Sequence, residues 1–98
     1  MAGRPKKTVE IGAREVRAIT RALSDPRRFA ILKRIAADPA VACTDLREGF
    51  PVSAATLSHH LKELESAGLI ETERCGKFLN VRFRRDVWKA YLAELRSL

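Results

Sequence analysis

Apolar residues in the first two thirds of the chain recur at helical spacing. Val16, Ile19 and Leu23 stand at i, i+3 and i+7, one stripe of a helix predicted over residues 10–23. Arg14, Arg17 and Arg21 share that spacing on another face, which suits either a solvated face or a phosphate track, and Glu10 lies four residues before Arg14 for pairing. Ser24-Asp25-Pro26 breaks the pattern. Ser24 or Asp25 can cap a second helix, and Pro26 suits its first turn. That helix, to about residue 37, is apolar over much of its circumference through Phe29, Ile31, Leu32, Ile35 and Ala36, so it packs on more than one side. Asp38-Pro39-Ala40 stops it. A short third helix is predicted over 44–50 with Thr44 as N-cap, then a turn at Gly49-Phe50-Pro51-Val52. Ser53 caps a fourth helix over 54–67, closed by Gly68. The period then falls to two. Residues 69–74 and 78–84 read as strands of a hairpin joined by Cys75-Gly76-Lys77, with Leu79, Val81 and Phe83 alternating against Asn80, Arg82 and Arg84. Asp86 can cap a last helix to residue 98. The order is α-α-α-α-β-β-α: mainly α with a small β-hairpin.

The third and fourth helices, joined by a tight turn, make a helix–turn–helix, whose second helix enters the major groove of DNA. On the fourth helix Leu57, Leu61 and Leu64 form the packing stripe. Opposite lie Ala55, His59, Lys62 and Ser66, flanked by Thr56 and Glu63 on one side and Ser58 on the other. Small side chains let the backbone approach base edges, while Thr56, Ser58 and His59 can reach groove atoms. Ser53 and the helix N-terminus suit a phosphate. His60 lies close to the leucine stripe and reads as a packed or phosphate-touching residue. The hairpin tip is basic at Arg74 and Lys77 and can lie along the DNA backbone or in the minor groove as a wing. The candidate DNA-binding set is therefore Ser53, Ala55, Thr56, Ser58, His59, Lys62, Arg74 and Lys77, in a winged helix–turn–helix.

Composition agrees with this. The 98 residues suffice for one domain with a marginal core, and dimerisation is one way to add buried area. The formal net charge of +7 points to a polyanionic partner. Residues 1–8 read as a flexible basic arm, and residues 9–98 as the domain. Gly3-Arg4-Pro5-Lys6-Lys7 suits either a minor-groove hook or a tail of non-specific affinity. No apolar h-region follows the start, and no run approaches the ~18 apolar residues of a membrane span, so a soluble, cytoplasmic protein without membrane partners is expected. No Ser/Cys–His–Asp constellation or phosphate loop appears, and Asp86 and Glu94 lie too far apart along a helix to act as a pair, so no enzyme and no cofactor is expected.

Two segments resemble a known family. Residues 22–32, ALSDPRRFAIL, resemble the segment before the helix–turn–helix of ArsR-type winged helix repressors, and Thr56–Leu64, TLSHHLKEL, followed by Ala67-Gly68-Leu69-Ile70 resembles their recognition helix. The resemblance covers roughly residues 15–95. It implies a homodimeric repressor on a palindromic double-stranded operator. It further implies that the first and last helices pair across the dimer axis, here Val16, Ile19 and Leu23 with Trp88, Tyr91, Leu92 and Leu95.

Many members of that family sense metals. One class carries C-x-C-D-L at the start of the third helix; here the stretch is Ala42-Cys43-Thr44-Asp45-Leu46, with Cys43 between the two replaced positions. Another uses Asp and His on the last helix, which here has no His. No metal site of either type is expected, because one thiolate cannot build a three- or four-coordinate site. Cys43 and Cys75 are possible redox thiols whose oxidation releases DNA; the plainer reading makes Cys43 a packed residue and Cys75 an incidental turn residue. Two rival readings stay open. One is a winged helix for protein contact or RNA binding; the other is a metalloid-responsive repressor using Cys43.

Overall fold

In a computed structural model the structure describes residues 9–98. The basic arm and its hook sequence lie outside the described residues. Five helices and three strands follow in the order α1 (Ala13–Leu23), α2 (Pro26–Ala36), β1 (Val41–Ala42), α3 (Cys43–Gly49), α4 (Ala54–Ser66), β2 (Ile70–Cys75), β3 (Phe78–Phe83) and α5 (Arg85–Arg96).

The helix ends are set by local chemistry. The Gly12 N–H donates to Glu15 Oε1 at 2.9 Å, so α1 starts at Ala13 and not near residue 10. Glu10 consequently precedes the helix and has no i,i+4 relation to Arg14 on it. Asp25 caps α2: its Oδ1 accepts the N–H groups of Arg27 at 2.8 Å and Arg28 at 3.2 Å, and Pro26 occupies the first turn. Ser53 Oγ accepts the Thr56 N–H at 3.1 Å at the head of α4. That helix ends in a Schellman motif. Gly68, at φ +83°, donates to Glu65 O at 2.9 Å, and Leu69 donates to Leu64 O at 3.0 Å. Leu64 and Leu69, the two apolar partners of that motif, are fully buried.

Two further expected boundaries move, and one strand is added. Cys43 is already helical and Ala42 is the N-cap of α3, so Thr44 does not cap it. Asp86 lies inside the first turn of α5, where its carboxylate accepts the Val87 N–H at 2.9 Å and the Arg84 guanidinium at 3.2 Å. Strand β1 was not expected, since two residues carry no period. It exists because Val41 and Ala42 pair with Val81 and Asn80, making β3 the centre of a sheet ordered β1-β3-β2.

The hairpin runs in register from Ile70↔Phe83 to Cys75↔Phe78. Only the first of its two turn residues, Gly76 at φ +63°, is left-handed, the pattern of a type II′ turn. The hairpin root is buried at Ile70 and Val81, while its far end projects into solvent. The core is aliphatic: Ile19, Ile31, Ile35, Leu46, Leu64, Leu69, Ile70 and Val81 are almost wholly removed from water. Burying each contributes about 1.5–3 kcal/mol against chain entropy. This core clamps α4 against α1, α2 and β2, which fixes the direction of its outer face.

Candidate nucleic-acid interface

Helix α4 divides as its pattern predicts. Leu57, His60, Leu61 and Leu64 turn inward, while Ser53, Ala55, Ser58, His59 and Lys62 are exposed and Thr56 is half-buried. The Ser53 hydroxyl donates to Thr56 Oγ1 at 3.0 Å while its oxygen caps the helix. Ser53 is thus committed to the helix end, and the Thr56 hydroxyl keeps its own hydrogen to donate. The outer surface of the N-terminal half of α4 carries small side chains, hydroxyls, an imidazole and one ammonium.

His60 is the buried polar residue beneath this surface, 5% exposed. Arg28 Nε on α2 donates to His60 Nδ1 at 3.3 Å, and Arg28 Nη1 donates to the Ala22 carbonyl at 3.4 Å. One guanidinium so connects the end of α1, the start of α2 and the middle of α4. With Nδ1 as acceptor, the neutral ring carries its hydrogen on Nε2. Burial lowers the His60 pKa, the Asp25 carboxylate acts in the opposite direction, and Arg28 reinforces the lowering. Asp25 itself is held below the usual carboxylate range, chiefly by the Arg28 N–H it accepts. Proximity to the leucine stripe placed His60 inside the helix packing, but its Arg28 partner is 32 residues away in sequence and has no local signal.

The wing follows α4 directly, tied to it by Thr72 Oγ1 donating to Glu65 Oε2 at 3.0 Å. Arg82 on the wing pairs with Glu73 at 2.7 Å and Glu71 at 3.7 Å. Arg74 and Lys77, both exposed, form no ion pair among the described residues, so the tip keeps its positive charge. Phe78, beside Lys77, is 60% exposed. Sequence reasoning assigned it no role, although the phase of Leu79, Val81 and Phe83 already puts Phe78 on the other face.

The surface expected to meet a second copy is only partly available. Ile19 has no exposed area and Tyr91 very little, because both belong to the protomer's own core. The Tyr91 hydroxyl also hydrogen-bonds Thr20 Oγ1 at 2.9 Å. Ile19 is therefore a core residue and drops out of the partner-facing set, and Tyr91 supports the face from beneath. Val16, Leu23, Trp88 and Leu92 are half-buried, and Leu95 is 44% exposed. Both thiols are free: Cys43 half-buried, Cys75 exposed. Burial raises the Cys43 pKa, which favours the neutral thiol.

A helix–turn–helix completed by a hairpin wing defines the class: a winged helix–turn–helix protein. A family profile described as "Helix-turn-helix domain" matches residues 23–73. The chain is 41% identical over 63 residues to an arsenical resistance operon repressor of Staphylococcus xylosus, spanning 64% of this chain and 60% of that protein. It is 24% identical over 90 residues to the HTH-type transcriptional regulator YgaV of Escherichia coli, spanning 92% of this chain and 91% of that one. Among solved structures it superposes, with TM-score 0.72 and 26% identity over 99% of this chain and 90% of the other, on a Mycobacterium bovis domain described as a homodimeric winged helix-turn-helix DNA-binding domain. The chain belongs to the ArsR family of winged helix–turn–helix transcriptional regulators, a family of regulators and not of enzymes.

Proposed function

We propose that this protein is a homodimeric, cytoplasmic repressor that binds a palindromic double-stranded operator. In this reading α4 enters the major groove and the wing tip follows the backbone. The observation that carries it is the outer face of α4: exposed, small and hydrogen-bonding over its N-terminal half, above a buried leucine stripe, with a basic wing tip beside it whose Arg74 and Lys77 form no ion pair among the described residues. Small side chains over that half let the helix backbone approach base edges in a B-form major groove, whereas the major groove of A-form RNA is too deep and narrow for side chains to read. Thr56, Ser58 and His59 act as groove contacts, Ala55 allows close approach, and Lys62, Arg74, Lys77 and the Ser53 end of α4 meet phosphates. Two protomers then place two copies of α4 in successive major grooves, about one helical turn apart.

Gel-shift titration on the DNA upstream of its own gene, repeated at rising salt, tests the reading. Specific binding is expected to weaken steeply with salt, and Lys62→Ala and Arg74→Ala are each expected to weaken it and reduce the salt slope by about one. Unchanged specific binding in both variants overturns the site assignment. Regulation through Cys43 as a metalloid ligand is the rival to this reading; Cys43 supplies one thiolate where such a site takes three or four ligands. Arsenite is accordingly expected to leave DNA affinity the same in wild type and Cys43→Ser.

A further inference from the structure

A recess of about 300 Å³ opens between α2, the end of β3 and the start of α5. Phe29, Leu32, Phe83 and Trp88 line it, with Lys33 and Arg85 also in its lining. Phe29, in this lining, is 41% exposed. The Lys33 ammonium lies 5.9 Å from the Phe29 ring centre, and the Arg85 guanidinium 5.2 Å from that of Phe83. Arg85 also donates to the Ala36 carbonyl at 3.2 Å. Neither cation forms an ion pair among the described residues, and no acidic residue lines the recess.

We infer that this recess is a binding site for a small amphipathic carboxylate. Its apolar body lies against Phe29, Phe83 and Trp88, and its carboxylate accepts hydrogen bonds from Lys33 and Arg85. The chemistry selects this occupant. The volume is at the small end for ligand sites, which suits a body of one or two rings and is too small for a peptide. Two cations beside an apolar floor offer charge-assisted hydrogen bonds to a carboxylate whose body the floor covers. A neutral body leaves both cations unpaired, and a cationic one is repelled. The helix that carries Phe29 and Lys33 carries Arg28, which holds His60 of α4, so the occupant leans on the support of the proposed reading helix. Any effect on operator binding rests on the function proposed above; occupancy of the recess does not.

The test uses the full chain without DNA, with trans-cinnamate and its uncharged amide, trans-cinnamamide, as probes. Binding is followed by calorimetry and by the emission of Trp88, the one tryptophan of the chain. Cinnamate is expected to saturate and to alter Trp88 emission, with cinnamamide roughly tenfold weaker. Lys33→Gln and Arg85→Gln are each expected to weaken cinnamate by roughly threefold to tenfold and to leave cinnamamide and the circular dichroism spectrum unchanged. Lys33 is exposed, so its variant keeps the test valid if Arg85→Gln disturbs the start of α5. Equal affinity for the two probes, no saturable binding, or cinnamate affinity indifferent to both substitutions overturns the inference. So does a dimer that Phe29→Ser converts to a monomer, because a second copy then covers the recess.

Discussion

His60 is an imidazole with little access to water, hydrogen-bonded through Nδ1 to a guanidinium that cannot itself accept a proton. Protonating the ring places two cations together and removes the acceptor Arg28 uses. Its folded pKa is lowered below the ordinary value of 6.5. As pH falls below that ordinary value, the unfolded chain takes up the proton before the folded one does, so stability decreases from there toward the lower folded pKa. Thermal melts across that range are expected to show the loss, and His60→Gln is expected to flatten that part of the profile. A wild-type profile with the same slope as His60→Gln would remove His60 from the account. The two thiols differ for a related reason. Burial raises the Cys43 pKa while Cys75 is exposed on the wing, so iodoacetamide at neutral pH is expected to label Cys75 first, read by peptide mass spectrometry. Faster labelling of Cys43 would contradict the packing described here.

Among the elements, α4 depends most on how it ends. Gly68 at φ +83° donates one hydrogen bond to the last turn and sends Leu69 back into the core, where its N–H donates the second. An added Cβ at this position meets little, its nearest neighbour being Val87 at 4.0 Å, so the penalty of Gly68→Ala is conformational and not steric. A loss of about 1 kcal/mol in denaturant unfolding is expected. Leu64→Ala removes a wholly buried side chain from the same motif and is expected to cost about 2–5 kcal/mol. If Gly68→Ala proved as costly as Leu64→Ala, the αL turn would be carrying more than the backbone geometry explains. The helices and the hairpin were legible in the sequence because caps, turns and periods are local signals. Asp25, Pro26, Ser53, Gly68 and Gly76 each mark a boundary with their own chemistry. β1 was not legible, since the strand it pairs with lies about 40 residues away.

At the scale of the whole molecule, an aliphatic core leaves Leu92 and Leu95 in line with Trp88 on α5, beside Val16 and Leu23 on α1. Of these, Val16, Leu23, Leu92 and Leu95 serve neither the outer face of α4, the wing nor the recess. The proposed homodimer uses them, so Leu92→Glu combined with Leu95→Glu is expected to shift sedimentation from dimer to monomer and to weaken operator binding with it, while circular dichroism stays helical. A monomeric wild type, or a double variant that remains dimeric, would move the interface elsewhere. Ile19 and Tyr91 shared the same sequence stripe as these residues but are consumed by the protomer's own core. Periodicity states that a face is apolar; it does not state which neighbour covers it.

Helix α4 and its division into a packing side and an exposed side of small, hydrogen-bonding residues were determined by the sequence alone, because a leucine stripe, a serine cap and a terminal glycine act within a few residues of one another. Packing in three dimensions decided the rest: that His60 is held by Arg28, that Val41 and Ala42 form a strand, that Ile19 is core and not interface, and that Phe29, Phe83, Lys33 and Arg85 converge on one recess. Each of those depends on contacts between residues far apart in the chain, and such contacts are set only when the elements dock.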